Sequence, residues 1–410
     1  MRSSELSLIP NPHAELKLVR EGNVVRAITV LAPVKGHGLM VTRISGEKEP
    51  DVFGTLLVSA IHRDAFRADG ETIAVKHRLA EIGFLVSENQ ISSPVWFACD
   101  IDDPPTDLIP SRAERTSLNN LADDLVVNPT FRRFSDAGPR PEMRTGKPLG
   151  NRFRKDRSWI WLEDAVLSAP CVYSAGGEVA GCFDSFVPGQ LAPASLNPAA
   201  CERLRKAGVL VSATEIAEQQ EDRGRQLEHA RHQLGAARYT VLRHVLRPLQ
   251  LGALRRYYRE LIAEGFLQFG DEEWPNRFFT PHDPVAHFFH QQFTDLVSQV
   301  AGERVRPTFL YFASYHPGSD LPPHRDREQC EYSMSVLLDH SPEPDDIAPW
   351  PIYVRPPGED IGVPIGLGIG DALLYRGREV VHYRYPLGQD QYSNLWFFFY
   401  VGEKFVGTLD

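Results

Sequence analysis

From Pro307 to Val401 the chain breaks into short apolar runs separated by turn residues: Thr308–Tyr315, Ser333–Leu338, Ile352–Val354, Ala372–Tyr375, Val380–Tyr385 and Leu395–Val401. Runs of this length between Gly, Pro, Asp and Asn predict strands. Helical patterns precede them at Leu249–Glu264, stopped by Gly265, and at about Pro284–Val300, after a short strand opening at Tyr239. Helices first and six short strands after them predict a β-barrel or double-sheet jelly roll buttressed by helices.

One of these strand regions, together with the stretch between the first two, carries metal-ligand chemistry. His324 and Asp326 flank Arg325, and His382 follows in Val-Val-His-Tyr-Arg-Tyr. On extended backbone, positions i and i+2 share a face, so His324 and Asp326 can grip one ion while Arg325 points away. A histidine from a distant strand completes the set. Two imidazoles and one carboxylate form the facial arrangement of non-haem Fe(II) oxygenases, which leaves the remaining coordination positions open. A second histidine group, His282, His287 and His290, lacks a glutamate in a HExxH arrangement and reads as core-edge or solvated histidines on a Phe-rich helix.

With 410 residues, 42% of them hydrophobic, the chain exceeds one core, and two or three domains are expected. Its 44 Lys and Arg against 54 Asp and Glu give a net charge of -10, which argues against a nucleic-acid or membrane partner. Arg243, Arg247, Arg255, Arg256 and Arg259 read as a solvated helix face. The five cysteines are scattered and contain no CxxC pair, so no disulfide framework or zinc cage is indicated and a reducing cytoplasm fits. There is no apolar signal region, and no run is long enough to span a bilayer. A soluble, unexported protein is expected.

The N-terminal half contains a repeat. Arg78-Leu-Ala-Glu-Ile-Gly-Phe-Leu-Val-Ser returns as Arg203-Leu-Arg-Lys-Ala-Gly-Val-Leu-Val-Ser, 125 residues later (203 − 78). Both copies predict a helix stopped by Gly83 or Gly208 and followed by a short apolar strand. Helix, glycine, then strand resembles the end of a winged-helix module and the small domains that escort precursor peptides to modifying enzymes. It is equally an ordinary α/β element. Pro- and Gly-rich stretches at 100–107 and 136–150 predict loops, and Trp159–Leu162 predicts a buried strand. The expected class is α+β: an α/β N-terminal module at 1–98, linker and loops at 99–157, a second related module at 158–216, a connecting helix at 217–236 and the jelly-roll domain at 237–410.

From about Tyr239 to Val401 the chain resembles the Fe(II)- and 2-oxoglutarate-dependent oxygenases, in their bacterial, prolyl-hydroxylase-like branch. The resemblance rests on Tyr315-x-x-Gly318, His324-x-Asp326, Ser333-Met-Ser-Val-Leu-Leu, Gly370-Asp371-Ala-Leu-Leu-Tyr375 and His382. It implies Fe(II) held by His324, Asp326 and His382, 2-oxoglutarate as cosubstrate with a contact from Tyr315, and O2 as oxidant. The family commonly places Arg or Lys about ten residues after the distal histidine to hold the far carboxylate of 2-oxoglutarate. Here Gly388–Asn394 offers none. Arg384, two residues beyond His382 in a His-aromatic-Arg string, is the expected replacement, with Arg376 and Arg378 behind it. The implied reaction is C–H hydroxylation of a peptide or carrier-bound residue, or else of a free amino acid or small natural product. A barrel that binds peptide without turnover is the reading of another class. Asp339–Gly358 is read as a lid or a structural crossing.

Overall fold

The computed structural model describes residues 9–10, 15–21, 24–34, 38–61, 72–82, 84–86, 95–102, 124–133, 142–145, 157–167, 169–270, 274–281 and 283–407. They belong to two compact units, 1–96 with 135–142 and 97–134 with 143–410.

In the first unit, β1 (Ile9–Pro10) is followed by an antiparallel meander of β2 (Glu15–Glu21), β3 (Val24–Val34) and β4 (Gly38–Ser45), then α1 (Pro50–Ile61), α2 (Ile73–Glu81) and β5 (Leu85–Val86), which returns to pair with β1. Ile28, Val30 and Ile44 from the sheet pack against Leu56, Val75 and Leu79 from the helices.

The second unit begins with a five-stranded sheet. It orders β8 (Arg132–Arg133), β10 (Ser158–Glu163), β11 (Pro170–Ala175), β6 (Val95–Asp100) and β9 (Glu142–Thr145). Helices α3 (Gly177–Cys182) and α4 (Pro198–Lys206) follow, and β12 (Leu210–Ser212) pairs with β7 (Leu125–Val127).

The sequence repeat therefore has a structural counterpart. Thr72 caps α2 by accepting from Val75 N, and Asn197, 125 residues on, caps α4 by accepting from Ala200 N. After each helix an amide bonds five residues back, Phe84 N to Leu79 O and Val209 N to Leu204 O, both at 2.9 Å. This is the bond of a Schellman turn, and Gly208 adopts the φ of +68° that the turn needs. Gly83 lies outside the described residues. In both copies antiparallel strands come before the helices, and the strand after them pairs with a strand from the start of the copy.

Part of the 99–157 stretch, read as linker, is core. Leu125 and Val127 are buried in β7, and the Asp100 and Asp102 carboxylates clasp Arg157. The second copy also shares its compact unit with the barrel. Arg247 pairs with the buried Asp164, and the Phe97 ring meets Tyr257 and Phe289. Linker composition at the ends of this stretch hid the short apolar strand between them.

Helix α5 (Ala213–Ala237) leads to β13 (Tyr239–Leu242), α6 (Pro248–Ala263), β14 (Gln268–Phe269), β15 (Arg277–Thr280) and α7 (Pro284–Ala301). Asp283 caps α7 through Ala286 N and also accepts from the Tyr257 and Tyr258 hydroxyls. Then come β16 (Val305–Tyr315), β17 (Leu321–His324), β18 (Tyr332–Ser341), β19 (Ile352–Arg355), β20 (Val363–Ile365), β21 (Ala372–Tyr375), β22 (Val381–Arg384) and β23 (Tyr392–Gly402). They form two sheets, β13-β21-β18-β23-β16-β15-β14 and β17-β22-β19-β20, with antiparallel ladders throughout.

Strand periodicity divides β23 between two environments. Leu395, Phe397 and Phe399 enter the core between the sheets, with Tyr315, Leu337, Leu373 and Tyr375 from one sheet and Ile352, Val354 and Ile365 from the other. Trp396 and Phe398 turn outward onto Tyr258, Phe289 and His290 of the helices. Burial on both faces explains the nearly unbroken apolar run that marks this strand in the sequence.

The arginines read as a solvated face are instead structural. Arg255 is 1% exposed and, with Arg259 one turn along, grips the fully buried Asp339 of β18 at 2.9 and 2.8 Å. Arg243 holds Asp371, which also accepts from His244 N and Gly368 N. Helical spacing alone could not reveal these carboxylates, which lie 80 or more residues away in sequence.

His290 gives a pH test of the packing. It is fully buried, its Nε2 lies 3.0 Å from Phe399 O, and burial pushes its pKa from 6.5 down to about 3. The unfolded chain takes this proton near pH 6.5 and the folded chain refuses it, so stability is complete above that pH and is lost as pH falls toward about 3. His290→Phe removes one proton from the linkage. Its unfolding free energy, read from urea titrations, is expected to fall less steeply with acidification than the parent's, by up to about 1.4 kcal/mol per pH unit. Parallel curves would refute the assignment.

Candidate metal centre

The β17–β22 register sets His324 directly opposite His382. Opposed residues of an antiparallel pair leave the same face, and these imidazole centroids lie 4.2 Å apart. Asp326 lies just past the end of β17, drawn in by a 2.9 Å bond from its N–H to Gly377 O. Its Oδ1 is 3.6 Å from His324 Nε2 and 3.5 Å from His382 Nε2. All three ligand atoms fall within 4.8 Å of one another, the only such group of three found among the described residues.

The groups behind the ligands fix their orientation. His324 Nδ1 lies 2.9 Å from Pro322 O, and His382 Nδ1 lies 3.5 Å from Val380 O. A proton held on Nδ1 toward a carbonyl leaves the Nε2 lone pair for a metal. Ser333 donates to Asp326 Oδ2 at 2.6 Å, leaving Oδ1 for the imidazoles. Burial drives His382 down to about 4, so it is neutral near pH 7. Burial opposes ionisation of Asp326, but His324, His382 and Ser333 together hold its carboxyl below the ordinary value. His324 is raised, chiefly by its bond to Asp326. With His382 3% exposed and His324 41% exposed, the centre opens on the His324 side.

Gly377 is part of this arrangement. A Cβ there would run into the Asp326 carboxylate and the Ser333 hydroxyl, and would come within 2.7 Å of Cys330 O. Gly377→Ala is expected to push Asp326 aside and weaken Fe(II) binding about 10–100-fold, as losses behind a metal ligand do. Competition with a chromogenic chelator measures this, and unchanged affinity would show that the carboxylate has room to move.

Beside the ligands lies a polar corner of the barrel interior. Arg384 shares the His382 face of β22, is 6% exposed, and donates from Nη1 to Trp350 O at 2.5 Å. Its guanidinium stacks 4.3 Å from the Trp350 ring, which lies 5.1 Å from the Tyr315 ring. Burial lowers it to about 10, with Tyr315 and Tyr375 within electrostatic reach, so it stays charged at neutral pH. Among the described residues no carboxylate pairs with it. Arg376 and Arg378, by contrast, pair with Glu379 and Glu331.

His340, 1% exposed, has no hydrogen-bond partner on either ring nitrogen. Buried polar groups in native proteins are normally satisfied, so this corner has the donor set of a site for a polar, anionic molecule.

The geometry thus brings together His324, Asp326 and His382, and places both Arg384 and Tyr315 against Trp350. Sequence reasoning missed Trp350, His340, Ser333 and Gly377. Trp350 comes from the Asp339–Gly358 stretch, which is a crossing and not a lid: Ala348 N bonds Leu367 O, and Ala348 and Trp350 are buried in the core. Ser333 and Ser335 did leave a signal, two inward polar residues alternating with Met334 and Val336. Of the rival histidines, His290 is buried against the helices' side of β23, apart from the site, and His282 lies outside the described residues.

No protein-family model matches the chain, and no curated protein matches it in sequence. Among solved structures it is similar to a prolyl-4-hydroxylase from Pseudomonas putida, at 20% identity and a TM-score of 0.35, over 42% of this chain and 97% of that one. It is also similar to a prolyl hydroxylase from Trichoplax adhaerens solved with a hypoxia inducible factor peptide fragment, at 14% identity and 0.39, over 45% and 93%. A third is HygX from Streptomyces hygroscopicus, solved with nickel, 2-oxoglutarate and hygromycin B, at 16% and 0.34, over 44% and 88%. No helix among the described residues is long and apolar enough to cross a membrane.

Proposed function

We propose that this chain is an Fe(II)- and 2-oxoglutarate-dependent dioxygenase that hydroxylates an unactivated C–H bond on a peptide or carrier-bound amino-acid residue. The observation that carries the reading is the convergence of His324 Nε2, Asp326 Oδ1 and His382 Nε2 within 4.8 Å, on one face of the centre. Fe(II) with 2-oxoglutarate and O2 supplies the oxidising power, the cosubstrate leaving as succinate and CO2.

The chain supplies placement. Two neutral imidazoles and a carboxylate hold the metal from one side and leave the rest of its coordination open. Arg384 receives the far carboxylate of 2-oxoglutarate: its planar fork matches a carboxylate in two bonds, and an unpaired buried guanidinium is costly until such a partner arrives. The Tyr315 ring lies 5.1 Å from Trp350, and the Tyr375 hydroxyl sits 3.3 Å from His382 Nε2. Leu373, Leu395 and Phe397 line the same interior and keep water from the reacting carbon.

The duplicated N-terminal modules support a peptide or carrier-bound substrate, acting as winged-helix-like recognition elements that a free amino acid does not require. Anaerobic addition of 2-oxoglutarate to the Fe(II)-loaded chain is the direct test. A weak visible charge-transfer band, followed by O2-dependent succinate release, is expected. Folded, iron-loaded protein without that band would instead be a barrel that binds without turnover.

A further inference from the structure

A second buried guanidinium faces the same interior. Arg277 opens β15 directly opposite Tyr315 in the ladder, so the two side chains share the inner face. The residue is 9% exposed, and its Nε is buried without a hydrogen-bond partner. Aromatic rings surround the guanidinium, with Trp274 at 4.7 Å, Phe279 at 4.9 Å and Tyr315 at 6.0 Å from its central carbon. Among the described residues it makes no ion pair.

Ring faces stabilise a guanidinium but leave its N–H edge unfilled, because the cation meets the π face and not a lone pair. Two observations place the guanidinium in the same interior as the metal centre. Phe279, on the same face of β15, packs 5.2 Å from Tyr311, and the partly buried Tyr311 phenol lies within electrostatic reach of both Arg277 and Asp326. Arg384, meanwhile, stacks 4.3 Å from the Trp350 ring, which lies 5.1 Å from the Tyr315 ring. Among the described residues the interior therefore has two cations without carboxylate partners, while one 2-oxoglutarate has one free carboxylate once its other end is on the metal.

We infer that Arg277 binds a carboxylate of the primary substrate, either the α-carboxylate of a free amino acid or the C-terminal carboxylate of a peptide. This rests on the proposed dioxygenase function and deepens it: the substrate is anionic at the end that anchors, and the oxidised carbon is set by its distance from that carboxylate. The aromatic box around the guanidinium is preorganised for an edge-on anion and excludes the water that would compete with it.

The test uses the full chain loaded with Fe(II). First, 2-oxoglutarate is titrated anaerobically into the parent, Arg277→Gln and Arg384→Gln. Arg277→Gln is expected to keep parental affinity within about twofold, which also shows that it is folded, whereas Arg384→Gln loses at least about tenfold. Second, the L-amino acids, their carboxamides, and short peptides with free or amidated C-termini are scored for perturbing the visible band and stimulating succinate release.

At least one carboxylate is expected to act at least about tenfold more strongly than its amide. Arg277→Gln should abolish that preference and Arg277→Lys restore part of it. Stimulation confined to amino acids or to peptides identifies the source of the carboxylate. Equal action of acids and amides, or no action by any of them, overturns the inference and leaves the dioxygenase reading standing. Loss of 2-oxoglutarate affinity in Arg277→Gln with none in Arg384→Gln also overturns it, by making Arg277 the cosubstrate anchor.

Discussion

Asp326→Ala is expected to abolish Fe(II)-dependent conversion of 2-oxoglutarate to succinate and to leave the chain unable to retain iron. The effect is expected to be this large because Asp326 is the centre of the triad, its Oδ1 lying 3.6 and 3.5 Å from the two imidazoles. Removing it deletes the one anionic ligand and leaves two neutral nitrogens to hold a dication. Losing a group behind a ligand already costs about 10–100-fold in metal affinity, and losing the ligand costs more. His382→Ala belongs to the same class, since that imidazole is almost fully buried and solvent cannot replace it in place. Iron content, the visible band with 2-oxoglutarate, and succinate release together give the readout. Retention of all three in Asp326→Ala would remove the metal from these residues.

Arg384→Gln is expected to weaken 2-oxoglutarate binding by about 2–5 kcal/mol, the usual cost of truncating one partner of a buried hydrogen-bonded charge pair. The lower end is already ~30-fold in Kd. The loss should fall on affinity, so that turnover recovers at high 2-oxoglutarate, because Arg384 stands beside the metal ligands and is not one of them. Arg384→Lys should recover only part, an ammonium being a point charge and not a fork. Burial and the absence of a carboxylate partner separate Arg384 from Arg376 and Arg378, whose ion pairs with Glu379 and Glu331 already use their charge. Equal affinity in parent and Arg384→Gln would send the role to another cation.

The strands that carry the site were legible because local pattern and burial agree there. Leu395–Val401 sits inside β23, buried on both faces, and Ala372–Tyr375 coincides with β21. The short strand β17 was not legible, since Leu-Pro-Pro-His reads as a turn; it is held in place by its cross-strand partner β22. Arg255 and Arg259 were misread for a related reason. Their spacing describes one face of a helix, but whether that face meets water or Asp339 depends on a strand about 80 residues away.

The sequence by itself determined the chemistry of the ligands, the helices-then-strands order, and the repeat 125 residues apart. These are local: residue type, spacing and capping act within a few positions. Tertiary structure alone decided that His324 faces His382, that Gly377 must lack a Cβ beside Asp326, and that Trp350 from a connecting stretch carries Arg384. It also decided that Arg277 and Arg384 both turn inward with no carboxylate partner among the described residues. Register and burial are set by the closing of two sheets over one interior, and no window along the chain contains that information.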